Sequence, residues 1–138
     1  FNAANPLLDQ ALEIQQEVLP PGHFQIASTL TLRGASRLAQ QRYADAQSDL
    51  RQALAIRIAA LPEHHWQIAN TRSMLGQALS HLGQTTEAET ILLESWEAMA
   101  ANDATPPDRL RDAASRIADH FDLSDQPERA QIWRQRAR

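Results

Sequence analysis

The five histidines are the residues of this chain best suited to bind a metal ion or to transfer protons near neutral pH. His23 and His65 begin two matching segments, His-x-Gln-Ile-Ala, that lie 42 residues apart. If this spacing reflects a structural repeat, the two imidazoles should be about 10 Å apart, too far for one zinc ion with bonds of ~2 Å. His64 and His65 are adjacent and point in different directions, and no third ligand accompanies them. We therefore expect structural roles at helix starts for these histidines, and no metal site.

The sequence contains no recognisable motif for other kinds of catalytic site. The absence of cysteine excludes disulfides, thiolate nucleophiles and cysteine-based zinc sites. The four glycines are scattered, so no phosphate-binding loop is indicated. Serine, histidine and aspartate are present, but no motif brings a nucleophile, a base and an orienting acid together. We predict that this chain is not an enzyme and needs no cofactor, although a longer parent protein could be one.

Arg33 and Arg37 are the most unusual charged pair, because the positions 42 residues later hold leucines. The two arginines are four residues apart and so share one face of a helix. Burying two uncompensated guanidinium groups would be costly. One interpretation is a structural ion-pair site, with Asp9 or Glu13 of the preceding helix as partner. The other is an anion site that binds a carboxylate or phosphate of a ligand.

Composition limits the partners that the chain can have. Its net charge of -4, with both signs interspersed, gives no electrostatic reason to bind nucleic acid or an anionic membrane. No apolar run approaches the ~20 residues that cross a bilayer, and no signal peptide is recognisable. All 13 basic residues are arginine, which is typical of GC-rich bacterial genomes. We expect a cytoplasmic bacterial protein that makes no contact with nucleic acid or membrane.

A 42-residue register organises the whole chain. Aligning the sequence with itself at this step needs no gap between residues 19 and 102. The matched residues are Leu19 with Leu61, Pro20 with Pro62, Gly34 with Gly76, Ala46 with Ala88, and Leu50 with Leu92. A fixed period of this length indicates stacked supersecondary units. Neighbouring units must pack together, because one unit cannot bury its own apolar face.

The prolines and glycines mark where helices start and stop. All seven prolines fall at predicted helix starts or breaks. We predict helices over residues 6–19, 24–40, 43–60, 66–82, 86–101, 106–122 and 127–137. Asn5 should cap the first of these helices, Gly83 should end the fourth, and Thr86 with Glu89 should form a capping box. The chain then forms one domain: a second helix of an incomplete repeat (1–19), two complete repeats (20–61 and 62–103) and a degenerate capping repeat (104–138).

Two tryptophans fall at positions that look buried. Trp66 aligns with Phe24, and Trp96 aligns with Leu54 and Leu12. Because large apolar residues recur at these positions, we predict that both tryptophans belong to the core rather than to a stacking platform for a ligand.

The residues at fixed positions of the repeat resemble a known family. Gly34, Ala46, Leu50 and Ala53 stand at relative positions 8, 20, 24 and 27 of a tetratricopeptide repeat. The longer period and the His-x-x-Ile-Ala box are similar to the kinesin-light-chain subtype, which is widespread in bacteria. This resemblance implies an all-α, right-handed α-α superhelix of about seven antiparallel helices. It also implies that the chain binds a protein or peptide and performs no chemistry.

The resemblance further implies a peptide groove on the concave face of the first helix of each repeat. The residues at the corresponding positions are Ser28, Thr31, Asn70, Ser73, Gln77, His81, Asp112, Asp119 and Asp122. This surface is neutral at one end and acidic at the other, so we expect an extended peptide with basic or hydroxyl groups near Asp119 and Asp122. The lysine and asparagine set that grips a C-terminal carboxylate in chaperone-binding members is missing, so the family's ligands are not transferred. A concave face without a ligand remains the alternative.

Three biological settings stay open. The first is a scaffold or recognition domain within a larger bacterial signalling protein, since the sequence starts inside a repeat and looks like a fragment. The second is the C-terminal regulatory region of a Ser/Thr protein kinase, because residues 117–121 and 126–130 look similar to such C-termini. The third is a stand-alone adaptor that forms homo-oligomers through an exposed repeat end, because helix 6–19 lacks the helix that should cover it.

Overall fold

The computed structural model describes residues 4–138, which form seven α-helices and no strand. They are α1 (Ala4–Val18), α2 (Phe24–Ala39), α3 (Tyr43–Ala60), α4 (Trp66–His81), α5 (Thr85–Ala100), α6 (Pro107–Leu123) and α7 (Pro127–Arg136). The all-α prediction is therefore confirmed. The prediction that Asn5 caps α1 is wrong, because the helix already begins at Ala4. Pro6 is tolerated inside the first turn, where a backbone N–H has no intrahelical acceptor.

The helices pack as a stack of neighbours. Consecutive helices contact each other as the pairs α2–α3, α4–α5 and α6–α7, and α1 packs on α2. The helices α2, α4 and α6 also contact one another in sequence and form one layer, while α3 and α5 link the successive pairs from the other side. The first helices of the repeats therefore lie side by side, and this layer carries the surface on which a ligand was predicted.

The 42-residue register reflects a repeated contact between the two helices of each repeat. A Cβ atom built on Gly34 would lie 2.9 Å from the Leu50 side chain, and one built on Gly76 would lie 2.7 Å from Leu92. Both distances are shorter than any ordinary carbon–carbon contact. The buried leucine of the second helix fills the space that a side chain would occupy, so any other residue at either position would force that leucine to shift.

The starts of α2 and α4 confirm the roles predicted for two histidines. His23 Nδ1 accepts a hydrogen bond from the backbone N–H of Gln25 at 3.1 Å. His65 Nδ1 accepts the equivalent bond from Gln67 at the same distance. Each imidazole therefore satisfies one of the backbone donors left unpaired at a helix N-terminus.

The ends of α2, α4 and α6 share one backbone conformation. The residues that follow the caps, Gln41, Gly83 and Asp125, have φ values of 61°, 80° and 57°. In each case the next residue donates its N–H back to a carbonyl five residues earlier, as in Gln84 to Leu79 at 3.0 Å. This is the Schellman arrangement, which satisfies carbonyls at a helix end. The predicted role of Gly83 is confirmed, whereas Gln41 and Asp125 adopt the same conformation without being glycine.

The predicted capping box at Thr86 is wrong. The helix α5 begins at Thr85, and its cap residue Gln84 makes no side-chain capping bond. Glu89 points instead toward His120 on α6, with 3.4 Å between its Oε1 and the imidazole Nε2. The backbone turn after Gly83, rather than a side chain, therefore sets where α5 begins.

Candidate functional site

An open groove crosses the layer formed by α2, α4 and α6. It encloses about 250 Å³. Its walls come from four helices: Ser28, Thr31 and Leu32 of α2, Arg57 of α3, Trp66, Gln67 and Asn70 of α4, and Arg109 of α6. We call this set the central groove. Two of its eight lining residues are arginines and none is acidic, so its electrostatic character differs from that of the whole chain.

Arg57 is a half-buried cation without an acidic partner. Its Nη1 donates to Thr71 Oγ1 at 2.8 Å, and no carboxylate among residues 4–138 comes within 4 Å of it. Burial lowers the pKa of Arg57, because the charged form loses contact with water. The hydroxyl fixes the guanidinium but leaves most of its N–H groups available.

Arg116 repeats this arrangement on α6. Its Nε donates to Gln77 Oε1 at 3.2 Å, and its Nη1 donates to Ser73 Oγ at 3.1 Å. Within the described part of the chain it also lacks a carboxylate inside 4 Å. Burial lowers the pKa of Arg116 to about 10, an effect opposed by Asp112 and reinforced by Arg109. Ser73 and Gln77, both predicted to contact a peptide, thus hold a cation toward the same side of α4.

Asn70 lines the central groove and carries a buried polar atom without a partner. The residue is 8% exposed, and its Oδ1 has no hydrogen-bond partner in the structure. A buried amide oxygen without a partner costs free energy, typically about 1–3 kcal/mol. Among the residues predicted from the sequence, Ser28, Thr31 and Asn70 line this groove together.

The residues predicted at the acidic end do not form an open acidic surface. Asp119 and Asp122 both pair with Arg134 of α7, Asp119 at 3.5 Å. Asp112 lies 3.8 Å from Arg109. His81 stacks on Tyr43 with 4.2 Å between ring centroids, and partial burial lowers its pKa while Asp119 opposes that shift. The acidic side chains on which a basic ligand was expected to dock thus already have cationic partners.

Arg33 and Arg37 converge on one buried carboxylate, that of Asp49 on α3. Arg33 forms a two-pronged pair with it, Nε and Nη2 lying 2.9 and 2.8 Å from the two oxygens. Arg37 Nη1 adds a third bond at 2.8 Å, and Arg33 also reaches Asp9 at 2.8 Å. Asp9 was one of the two partners considered, whereas Asp49 lies on the following helix and was not foreseen. Hydrogen bonding to Asp49 raises the pKa of Arg33 above its usual value.

One polar cluster contains a serine, a histidine and a glutamate in the order in which some hydrolase active sites hold them. Ser80 Oγ lies 2.8 Å from His120 Nδ1, and His120 Nε2 lies 3.4 Å from Glu89. The imidazole is 1% exposed and therefore lies inside the helix stack. The cluster instead joins α4, α5 and α6 through hydrogen bonds.

The two tryptophans predicted in the core differ from each other. Trp96 packs against buried residues of α5 and α6 and meets Trp133 edge to face, with 4.9 Å between ring centroids. Trp66 is only half-buried and lines the central groove, and the aligned Phe24 is 63% exposed. The prediction for Trp66 is therefore wrong, because its position faces the concave layer rather than the interface between repeats.

The sequence did carry a signal for Arg116 and a weaker one for Arg57. Arg116 aligns with the apolar Met74 and Leu32 in the two preceding repeats, whereas Arg57 aligns with Met99 in the next repeat and with the polar Gln15 in the preceding one. Arg116 therefore departs from the register as Arg33 and Arg37 do. These departures mark positions at which one repeat differs from its neighbours.

No group of three or more histidine, aspartate or glutamate side chains is arranged to hold a metal ion within residues 4–138. In the same part of the chain, no helix is both long and apolar enough to span a membrane.

Comparison with solved structures gives the same fold. Two structures of a Podosopora anserina protein, described as a kinesin light chain with nearly identical TPR-like repeats, superpose with TM-scores of 0.73 and 0.70 at 20% identity. BtubC (BKLC) from P. vanneervenii superposes with a TM-score of 0.80 at 14% identity. Each match covers 99% of this chain, which spans 64% of the Podosopora anserina protein and 54% of BtubC. The TM-scores show a common fold, although the sequence identities are low.

A comparison with curated proteins gives no match. The sequence profile of the tetratricopeptide repeat matches residues 25–101, more than half of the chain. This match covers the two complete 42-residue units almost entirely, and the helix pairs of the structure coincide with them. The chain therefore belongs to the tetratricopeptide repeat family.

Proposed function

We propose that this chain is a protein-interaction module that binds an extended polypeptide segment in the central groove. The observation that carries the proposal is the central groove itself, whose lining includes the polar side chains of Ser28, Gln67 and Asn70. Hydroxyl and amide groups both donate and accept hydrogen bonds, so this lining suits the backbone of a bound segment. Ser28 is exposed at the same groove and offers a hydroxyl to a second backbone group.

Binding of this kind needs no chemical step. The groove positions polar groups on four packed helices, so the bound segment meets donors and acceptors that are already in place. Scaffold and recognition proteins use repeats in this way, because the stacked helices present an extended concave surface. We further propose that the module serves a larger bacterial signalling protein, with the kinase-linked role as the alternative.

Filling the groove tests the proposal. Ser28→Trp places a bulky ring in the central groove, and Thr90→Trp places the same ring on the exposed surface of α5 as a control. We expect a random peptide library displayed on phage to yield sequences that bind the wild type and the control but not Ser28→Trp. If enriched peptides bind Ser28→Trp equally well, or if no peptide is enriched, the groove is not a peptide site.

A second candidate function is self-association through α1. Leu7, Ile14 and Val18 are 67%, 58% and 70% exposed and share one face of the helix. A second copy of the chain could cover this apolar surface. Light scattering at high concentration should then give a mass above that of one chain, and Ile14→Asp should restore the mass of a monomer. A monomeric wild type would exclude this function.

A further inference from the structure

We propose that copies of this chain associate head to tail, with the acidic side of α1 in one copy packed on the basic side of α7 in the next. This inference rests on the second candidate function, self-association through α1, and names the surface that covers α1. Both surfaces lie outside the central groove, so the proposed binding of a peptide there is a separate property.

The exposed side of α1 combines apolar and acidic residues. The apolar stripe of Leu7, Ile14 and Val18 is bordered by Glu17, and Glu13 lies one turn before Glu17. We call these five residues the acidic side of α1. Among residues 4–138, neither glutamate has a cation within 4 Å. The helix contains three acidic residues and no basic one, so two copies of this surface would repel each other, and a basic, partly apolar surface suits it better.

The exposed side of α7 has that complementary composition. Ile132 is 53% exposed, and Arg129 and Arg136 lie three residues before it and four residues after it, on the same face of the helix. We call these three residues the basic side of α7. Within the described part of the chain, neither arginine has a carboxylate inside 4 Å. This surface therefore offers the acidic side of α1 an apolar contact and two cations.

The repeat register shows that this surface is particular to the last helix. Its three residues stand where the two complete repeats hold acidic or polar ones. Arg129 replaces Asp45 and Glu87, Ile132 replaces Ser48 and Thr90, and Arg136 replaces Gln52 and Glu94. The equivalent sides of α3 and α5 lack both the cations and the apolar residue, so of these three helices only α7 complements α1.

Ring contacts already hold the two arginines in place. Arg129 Cζ lies over the Phe121 ring, 5.5 Å from its centroid, and Arg136 Cζ lies 4.3 Å from the centroid of Trp133. A guanidinium that stacks through its face keeps the N–H donors at its edge for a carboxylate. Because these long side chains are already positioned, less conformational entropy is lost when a second copy binds.

The spacing along the two helices fits a contact centred on Ile132 and Ile14. Glu17 lies three residues beyond Ile14, about 4.5 Å along the axis. In an antiparallel arrangement Arg129 lies at the same axial distance from the contact, and in a parallel arrangement Arg136 lies one residue further. In either direction, an arginine therefore meets Glu17 across helix axes roughly 10 Å apart.

The experiment mixes two variants that each lack one of the two surfaces. Ile14→Asp disrupts the acidic side of α1, and Ile132→Asp disrupts the basic side of α7, both at exposed positions. In sedimentation velocity, the wild type should form species of more than two chains, and each variant alone should be monomeric. An equimolar mixture should form complexes of two chains and no more, because each variant keeps one intact surface. Thr90→Asp, with the same charge at the equivalent exposed position of α5, should associate like the wild type.

The association should weaken as the ionic strength rises. Raising the salt from about 0.1 M to about 1 M shortens the Debye length from roughly 10 Å to roughly 3 Å. The mean mass of the wild type at a fixed concentration should therefore fall. The double variant Arg129→Gln, Arg136→Gln should associate about fivefold more weakly at low salt. An association that strengthens with salt would overturn the proposed charge complementarity.

The outcomes separate this inference from the function on which it rests. Dimers of Ile132→Asp, together with a mixture that gains no complex, would mean that α1 packs on α1. That result would overturn the head-to-tail contact and leave self-association through α1. A monomeric wild type would overturn both. Circular dichroism establishes that the variants are folded, and the peptide library reports on the central groove independently of either result.

Discussion

Asp49 joins the two helices of the first complete repeat through a buried carboxylate. Its carboxylate is 1% exposed and accepts bonds from Arg33 and Arg37. We predict that Asp49→Ala lowers the free energy of unfolding by about 3 kcal/mol, because it leaves the half-buried Arg37 without an anion and Arg33 with the exposed Asp9 alone. Urea denaturation followed by circular dichroism measures this change. A loss smaller than about 1 kcal/mol would mean that water replaces the carboxylate.

The second repeat supplies a matched control for the same site. It holds Leu75, Leu79 and Ile91 where the first repeat has the three charged residues. The triple variant Arg33→Leu, Arg37→Leu, Asp49→Ile should therefore be at least as stable as the wild type, since apolar replacements of buried ion pairs are often neutral or stabilising. A triple variant less stable than Asp49→Ala would show that the apolar arrangement cannot be transferred between repeats.

Arg116 should decrease the stability of the unbound module. Its pKa is lowered to about 10 from 12.5, which means that the folded environment disfavours the charged form. We predict that Arg116→Met raises the free energy of unfolding by about 1 kcal/mol, by removing a desolvated cation while keeping side-chain volume. Thermal denaturation measures this effect, and a less stable variant would contradict the prediction.

His81 should make stability depend on pH. Its folded pKa lies below the ordinary value of 6.5, so the unfolded chain binds the proton more readily. Stability should fall as the pH is lowered through about 6.5 and level off below the folded pKa. His81→Phe keeps the stacking on Tyr43 but cannot titrate. We predict that the wild type loses more stability than this variant between pH 7.5 and 5.5, measured by urea denaturation; parallel curves would contradict the prediction.

At the scale of the helices, the 42-residue register places one left-handed residue after each first helix. Gln41, Gly83 and Asp125 occupy this position. Since only glycine adopts positive φ without steric cost, we predict that Gln41→Gly raises the free energy of unfolding by about 1 kcal/mol. Gly83→Gln, the reciprocal change at the equivalent position, should lower it by a similar amount. Changes of the same sign in both variants would show that side-chain contacts of Gln41 decide the outcome.

The same turn explains which helix boundaries could be predicted. Prolines and the 3.6-residue period located all seven helices, because they act through the local backbone. The capping box at Thr86 failed, because the residue before each second helix is already fixed by the Schellman turn. Arg42, Gln84 and Gln126 all begin their helices without a side-chain cap. A backbone turn can thus replace a capping side chain, and only coordinates reveal it.

The site was less predictable than the helices. The register placed Ser28, Thr31 and Asn70 on one surface, and they line the central groove. It did not show that Arg57 enters from α3 or that Arg116 bonds to Ser73 and Gln77. Those contacts depend on how long side chains cross between helices about 10 Å apart. The position of a residue in the repeat predicts which face of its helix it lies on. It does not predict which residues of a neighbouring helix a long arginine side chain contacts.

At the scale of the whole molecule, contacts join neighbouring helices only. α4 packs against α2, α3, α5 and α6, whereas among the described residues α1 packs on α2, and α7 packs on α6 and reaches α5 through Trp133 and Trp96. Stability in such stacks is the sum of local terms and nearest-neighbour interfaces. We predict that amide hydrogens of α1 and α7 exchange first and those of α4 last, as measured by hydrogen exchange with mass spectrometry. Uniform protection would show that the chain unfolds as one cooperative unit.

The position of Trp66 gives the module a built-in optical probe. This indole lines the central groove, while Trp96 and Trp133 lie against each other at the C-terminal end with Arg136 over Trp133. A bound segment would exclude water from Trp66 and leave the other pair unchanged. Its fluorescence emission should then shift to shorter wavelength in proportion to occupancy. Ligand affinity could therefore be measured from the intrinsic fluorescence of the unlabelled protein.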